Sequence, residues 1–449
     1  MSLNFSNIDN KSFIINLLFS FLVFSFIAGN MVLNINILLI IVFSIFFYKK
    51  NIIDTNFDLI DKVIVIFFSY AFLSGILNNI YYKIIDPAED YTVLVKTIFY
   101  LRFLLIYFII KFLIKEGIIN LKIFFIISSF AVIFVCLDLI YQMIFGYDIF
   151  GFKAGIRRLS GPFGDELIAG SFIQRFGLFP LFLLPVFFKF KKNYFLNLIL
   201  ILLVGLLLFS LIIAGNRIPL ILFVFILIGI VIFEKKLRNY LFIIIILFPT
   251  IFISTYYLDK DIAVHIRSFK KNVTEMIMVI SPENEITRRM LDNEYKNYMF
   301  YTFKYKDKYY RMANTHLKEF KTGYVTWQDN FIFGGGIKSF TKSCRRAEIK
   351  NCVNHPHNYY LEILAELGLI GFMISVILFF IVFFKTFIKK YFKDSNLKNY
   401  HIITPFIFLF FAEIFPLKST GSFFTTNNAT YIFLILSILA SLLKIKEKY

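Results

Sequence analysis

Two histidines, an amide and two carboxylates fall within the short run His355-Pro356-His357-Asn358-Tyr359-Tyr360-Leu361-Glu362-Ile363-Leu364-Ala365-Glu366. The residues beyond it are almost wholly apolar, so the polar groups stand at the mouth of a hydrophobic helix. Ionisable side chains at the face of such a helix are costly and mark a functional site by default. The His357 imidazole is a natural proton acceptor near neutral pH. Asn358, Glu362 and Glu366 recur at helical spacing along one face; the plainer reading of the two glutamates is ion pairing inside a bundle. Gly368 and Gly371 allow close helix contact. A second polar cluster, Arg157-Arg158-Leu159-Ser160-Gly161-Pro162-Phe163-Gly164-Asp165-Glu166, leads into Leu167 to Phe176. Its Gly and Pro residues predict an irregular entry to the next apolar segment. Within it Glu166 and Arg175 sit deeper, as an expected pair. A third, Ala214-Gly215-Asn216-Arg217-Ile218-Pro219, joins two apolar segments with almost no loop. Arginine presents a planar, permanently charged fork of donors that matches phosphate oxygens.

The elements that must carry these groups are membrane spans. Of 449 residues 59% are hydrophobic, 62 are Phe and only 17% are charged, and mean hydropathy is +0.74. The apolar residues come in blocks of about 20, enough to cross ~30 Å of hydrocarbon as helix. Twelve spans are expected, at 12–29, 31–48, 62–80, 92–113, 121–145, 166–188, 194–213, 218–233, 239–257, 359–384, 401–417 and 428–444. The fold class is therefore all-α and polytopic. Lysines and arginines crowd every second connection (Lys49/Lys50, Lys111/Lys115/Lys122, Lys189/Lys191/Lys192, Lys235/Lys236/Arg238, Lys385 to Lys398, Lys444/Lys446/Lys448). The positive-inside rule then places both termini in the cytoplasm. It also divides the chain into spans one to nine (1–258), a large extracytoplasmic loop (259–357) and spans ten to twelve (358–449). The formal net charge of +19 is on this reading a topology signal, and no nucleic-acid partner is expected. Arg217 would lie on the outer face, against the charge rule. A cleavable leader is the alternative for the first span, but Asn30 and the apolar run after it favour a retained membrane hairpin.

Cys136 lies within a span. Cys344 and Cys352 lie in the outer loop, eight positions apart, where a disulfide is favoured; a zinc site with His355 and His357 is the alternative. Asp259-Lys260-Asp261 has the spacing of a metal-binding carboxylate pair but no sheet-helix context. Gly334-Gly335-Gly336-Ile337-Lys338-Ser339 lacks the Gly-Lys adjacency of a phosphate loop, and a turn against the membrane is expected there. Tyr295 to Tyr310 interleaves Tyr, Phe and Lys, consistent with sugar stacking or with an amphipathic helix on the bilayer surface.

Trp327-Gln328-Asp329-Asn330, Phe333-Gly334-Gly335-Gly336-Ile337-Lys338-Ser339-Phe340, His355 to Leu361 and Glu366-Leu367-Gly368 together resemble the O-antigen ligase and O-antigen polymerase superfamily of bacterial envelope enzymes. Members carry a glycine-rich turn in the long outer loop and then a His-Asn-x-Tyr-Leu signature entering the next span. Arg158, Gly161, Phe163, Glu166 and the Arg217 turn are similar to weaker family features. That turn departs from the small-Ser-Arg-Gly form at Asn216 and Pro219. The resemblance implies glycosyl transfer in the bacterial inner membrane, on its periplasmic side, from an undecaprenyl-pyrophosphate-linked glycan to a hydroxyl of the lipid A core. In a polymerase the acceptor is a second lipid-linked glycan. Membrane lipids are the remaining expected partners, and a lipid-linked sugar transporter is the reading from another class. With no nucleotide outside the cytoplasm, the donor carries its own pyrophosphate leaving group. Arg217 would bind it, assisted by Arg158, Arg157 or Arg311 (less so Arg288). His357 would take the acceptor proton, with Asn358 and Glu362 orienting it. Glu166, Arg175, His316 and His355 complete the expected substrate-binding set. No metal and no cofactor is expected.

Overall fold

The computed structural model describes residues 9–53, 57–88, 90–155, 158–187, 194–235, 238, 248–254, 257, 301–305, 308–312, 315–349, 352–393, 401–419 and 421–443. Helices run α1 (Asn10–Ala28), α2 (Asn30–Ile53), α3 (Leu59–Ile85), α4 (Thr92–Tyr100), α5 (Arg102–Lys115), α6 (Leu121–Phe145), α7 (Ala169–Phe176), α8 (Leu178–Phe187), α9 (Tyr194–Ile213) and α10 (Arg217–Phe233). After a β-hairpin come α11 (Thr315–Asp329), α12 (Phe340–Arg346), α13 (Tyr359–Ile388), α14 (Ile403–Glu413) and α15 (Thr426–Leu442). Among the described residues, seven segments are long and apolar enough to cross a membrane: Asn10–Ala28, Asn30–Lys49, Leu59–Ile85, Thr92–Lys115, Leu121–Phe145, Ala169–Phe187 and Tyr359–Lys393. Four shorter apolar helices, Asn197–Ile213, Arg217–Phe233, Ile403–Glu413 and Thr426–Leu442, accompany them. The expected span at 239–257 and the Asp259-Lys260-Asp261 motif fall largely or wholly outside the described residues.

The bundle is built around its last two helices. Every side chain of α15 from Asn428 to Leu442 is buried, and α14 is buried along nearly its whole length. The outer helices keep exposed hydrophobic flanks, as lipid-facing segments do, for example Leu38, Phe46, Leu77, Phe130 and Phe380. Aromatic rings fill the interior in edge and tilted contacts, such as Phe68 with Phe433 at 4.9 Å and Phe125 with Phe179 at 4.9 Å. Charges in the apolar interior are paired, because an isolated ion there is too costly. Lys111 lies 2.5 Å from Asp61, and Glu234 accepts from Thr404 at 2.6 Å and lies 2.8 Å from His401.

Two features depart from expectation. Tyr301–Tyr305 and Lys308–Met312 form an antiparallel hairpin, with Tyr301 opposite Met312. An amphipathic helix over 295–310 is thereby excluded for the part described. In the first strand the aromatic residues Tyr301, Phe303 and Tyr305 alternate with Thr302 and Lys304 at period two, and such residues favour a pleated strand. The second departure is in α13, which breaks at Gly368 (φ 65°, ψ −171°), a conformation open essentially to glycine alone. The amides and carbonyls freed by the break are satisfied by the glycine-rich turn. Gly335 N donates to Ala365 O at 3.2 Å and Gly336 N to Glu366 O at 2.7 Å. Leu369 N donates to Phe331 O at 2.9 Å and Ile370 N to Ile332 O at 3.3 Å. Tyr70 Oη on α3 takes Leu367 O at 2.9 Å. Non-helical backbone is thus admitted along an apolar helix because neighbouring protein supplies these partners.

Candidate functional site

The mouth of α13 is held by Asn358. Its side-chain oxygen accepts from Tyr360 N at 3.0 Å and Leu361 N at 3.2 Å, an N-cap. Its amide donates to Pro416 O at 2.8 Å, tying the helix mouth to the α14–α15 connection. Asn358 is therefore a structural clamp as well as a neighbour of the histidine. His357, just before the cap, has φ 52°, rare for a residue with a side chain. Its ring centroid lies 4.1 Å from that of His355, and its Nε2 lies 3.6 Å from Glu319 Oε1 on α11. Helix α11 reaches this position because Gly323 rests against Pro356 and Leu361; a Cβ there would come within 2.6 Å of Pro356 Cβ. Burial, followed by the nearby charges of His357 and Lys338, pushes the His355 imidazole down to about 4. His355 is neutral at physiological pH and supplies no cation.

Below the mouth, Glu362 is buried and accepts from Phe423 N at 2.5 Å. Glu366, also buried, accepts from Lys338 N at 2.6 Å and Phe340 N at 3.3 Å. Both carboxylates therefore hold neighbouring loops onto α13. Lys338, in the glycine-rich turn, bonds Ser422 Oγ at 2.5 Å and supplies the positive charge that faces this pair. Asn330 braces the same turn through Gly334 O and through Asn78 Oδ1 at 3.3 Å. Cys344 and Cys352 are joined by a disulfide. With Val325, Ala347 and Ile349 they form a small apolar cluster separate from the main core.

Arg175 is engaged differently from the expected pairing with Glu166. Its guanidinium lies 2.6 Å from Glu413 Oε1 and bonds Asn427 and Asn428 at 2.7 Å and Tyr359 Oη at 3.3 Å. Lys418 adds a second cation, 2.6 Å from Glu413 Oε2, its ammonium pulled down to about 8 by burial. Glu166 is exposed on the loop before α7. Within the bundle the carboxylate that meets Arg175 is Glu413, carried in by α14.

Arg217 is the first residue of α10. Asn216 beside it accepts from Gly170 N at 3.1 Å and donates to Leu167 O at 2.9 Å, so the Arg217 turn is fastened to the entrance of α7. Gly170 permits this approach, since a Cβ would meet Asn216 Cβ at 2.6 Å. Half-buried Arg158 precedes Gly161, whose N–H bonds Gln142 at 2.9 Å. Burial lowers its guanidinium from the ordinary value. Phe163 packs on Phe172 of α7 at 5.5 Å. Through α7, and through Arg175 to Tyr359, the Arg158 loop, the Arg217 turn and the His357 mouth stand at one end of the bundle. Arg157 lies outside the described residues. Arg311 is in the second hairpin strand and His316 in the first turn of α11.

Residues 201–376 match the family model described as O-antigen ligase. Over this segment, somewhat under half of the chain, the sequence is similar to the O-antigen ligase family. No curated protein matches the chain. The O-antigen ligase segment holds Arg217, Glu319, Lys338, His355, His357, Asn358, Glu362 and Glu366. Arg158, Arg175, Glu413 and Lys418 come from outside it. Glu319, Glu413 and Lys418 escaped sequence reasoning, and Lys338 stood out only as part of the glycine-rich turn. For Lys418 a signal existed: on the expected topology it is a lone lysine on the outer side, the same anomaly that drew attention to Arg217.

Proposed function

We propose that this protein is an O-antigen ligase-type glycosyltransferase. It moves a glycan from undecaprenyl pyrophosphate to a hydroxyl of the lipid A core at the periplasmic face of the bacterial inner membrane. The topology that goes with this reading has twelve spans, both termini in the cytoplasm and residues 259–357 outside. The observation that carries it is the position of Arg217 and His357 at one end of the bundle, both within the family-matched segment. Arg217 opens α10, whose first turn receives no cap bond from Asn216. A guanidinium beside the positive end of a helix favours an anion. Arg217, with Arg158, would hold the pyrophosphate while His357 takes the proton of the acceptor hydroxyl. The acceptor oxygen then bonds the anomeric carbon as the bond to the pyrophosphate oxygen breaks, with inversion and with no metal invoked. Glu362 and Asn358 act by fixing the loops around that hydroxyl.

The test is reconstitution of the purified full chain with a lipid-linked glycan and each acceptor, without ATP or divalent metal. Transfer to lipid A core marks a ligase; joining of two lipid-linked glycans marks the polymerase alternative, and movement of the lipid across the bilayer without bond formation marks a transporter. His357→Ala should cost about 10²–10⁴-fold, the range for a general base. Arg217→Ala should cost about 10²–10³-fold, the range for one donor to a developing charge. Near-normal transfer by either variant removes that residue from the scheme.

A further inference from the structure

A base that must accept a proton works best when its ring is held in one tautomer and its cationic form is stabilised. Such a partner stands beside His357. Glu319 Oε1 lies 3.6 Å from His357 Nε2, and its side chain is 15% exposed against 35% for the histidine. Three independent restraints set this approach. His357 holds a left-handed backbone (φ 52°) immediately before the helix cap, a state that fixes the chain direction there. Gly323, one turn along α11 from Glu319 on the same face, lets that helix close onto Pro356. The Asn358 clamp to Pro416 stops the mouth of α13 from drifting away.

We propose that Glu319 is the positioning carboxylate of His357. Its Oε1, 3.6 Å from Nε2 and so at ion-pair distance, favours the tautomer with the proton on Nε2 and leaves Nδ1 to receive the acceptor's proton. This rests on His357 being the base. In the step, Nδ1 takes the hydroxyl proton, the acceptor oxygen forms its bond to the anomeric carbon, and the electron pair of the cleaved bond leaves on the pyrophosphate. The imidazolium so formed is stabilised by Glu319 and returns its proton to water or to the departing pyrophosphate. A carboxylate–imidazole pair performs this service wherever the carboxylate itself never touches substrate. The other charged or titratable groups around the pair are His355 from the same loop, Lys338 from the glycine-rich turn, buried Glu362 on α13 and Lys418 in the α14–α15 connection. His355 is neutral there, so Glu319 is the negative group nearest the ring among the described residues.

The experiment is the pH profile of glycan transfer by reconstituted full-length Glu319→Gln, Glu319→Asp and His357→Ala proteins. Loss of the carboxylate removes a charge that favours the imidazolium. Glu319→Gln should therefore lower kcat about tenfold or more, leave the donor KM within about threefold, and move the acid limb of the profile down by about one pH unit. Glu319→Asp should restore the wild-type limb. An unchanged profile and kcat in Glu319→Gln overturn the pairing, while His357→Ala retaining transfer overturns the base assignment itself, so the two failures are distinct. If Glu319→Gln does not fold, the wild-type chain still decides. Diethylpyrocarbonate modification of His357, mapped by mass spectrometry, should titrate above the ordinary imidazole value of about 6.5; a midpoint at or below it overturns the pairing.

Discussion

His357 and His355 share a loop and a chemistry, yet their surroundings assign them opposite tasks. His357 keeps contact with solvent and with a carboxylate, in a backbone state that costs a residue bearing a side chain about 1–3 kcal/mol. His355 is turned inward, and its Nε2 finds no hydrogen-bond partner among the described residues. An imidazole buried neutral destabilises the fold once protons are abundant. With a folded value of about 4 against about 6.5 in the unfolded chain, its contribution is complete above pH ~6.5 and is lost as pH falls toward 4. His355→Gln should therefore flatten the fall in thermal stability between pH 6.5 and 4.5, measured in detergent against the wild type. Equal slopes in both proteins would refute the burial argument.

Helix α13 and the glycine-rich turn form one structural unit, because each supplies the hydrogen bonds the other lacks. Gly368 lies nine residues beyond Tyr359, so the turn descends about 13 Å along the helix. Glu366, two residues before the break, then reaches Lys338 N and Phe340 N at the start of α12. Gly368→Ala should unseat the turn, since a Cβ there would collide with the Ile332 carbonyl carbon and with Gly334 N at 2.5 Å. A loss of at least ~3 kcal/mol is expected, from the forbidden backbone state and from freed buried amides together. Gly205→Ala in α9 is the control, because its Cβ would meet nothing within 4 Å. Thermal unfolding of the two variants should differ clearly; similar midpoints would show that α13 does not need its break.

Across the whole molecule, the cluster of Arg175, Glu413, Lys418, Asn428 and Tyr359 locks α7, α13, α14 and α15 together beneath the proposed site. One carboxylate answers two cations, so the cluster is asymmetric. Glu413→Leu strands both Arg175 and Lys418, whereas Arg175→Met leaves Glu413 with Lys418. Breaking a buried pair costs about 3–5 kcal/mol, and the glutamate variant should show the larger loss in detergent-solubilised unfolding. The reverse order would mean that Lys418 is not held by Glu413. Activity should fall in both variants, because Tyr359 and Asn358 are anchored to the same connection.

The long apolar helices and the polar His357–Glu366 run at the mouth of one of them were readable from the chain because membrane physics is local. About 20 apolar residues must be helix, and a polar group beside them needs a reason. Arg217 and Asn358 stood out on that ground alone. Glu319 did not, since a glutamate in a polar helix has no pattern to distinguish it until α11 folds over Pro356. Glu166 and Arg175 looked like partners by proximity in the chain, but the bundle brings Glu413 to the arginine from far along it. The seat of Gly334 to Gly336 in the break of α13 was equally hidden, because backbone hydrogen bonds exchanged between a loop and a helix leave no trace in side-chain periodicity. Which residues meet the membrane is written along the chain. Which charge answers which is decided only when distant helices pack and each buried group must find its partner.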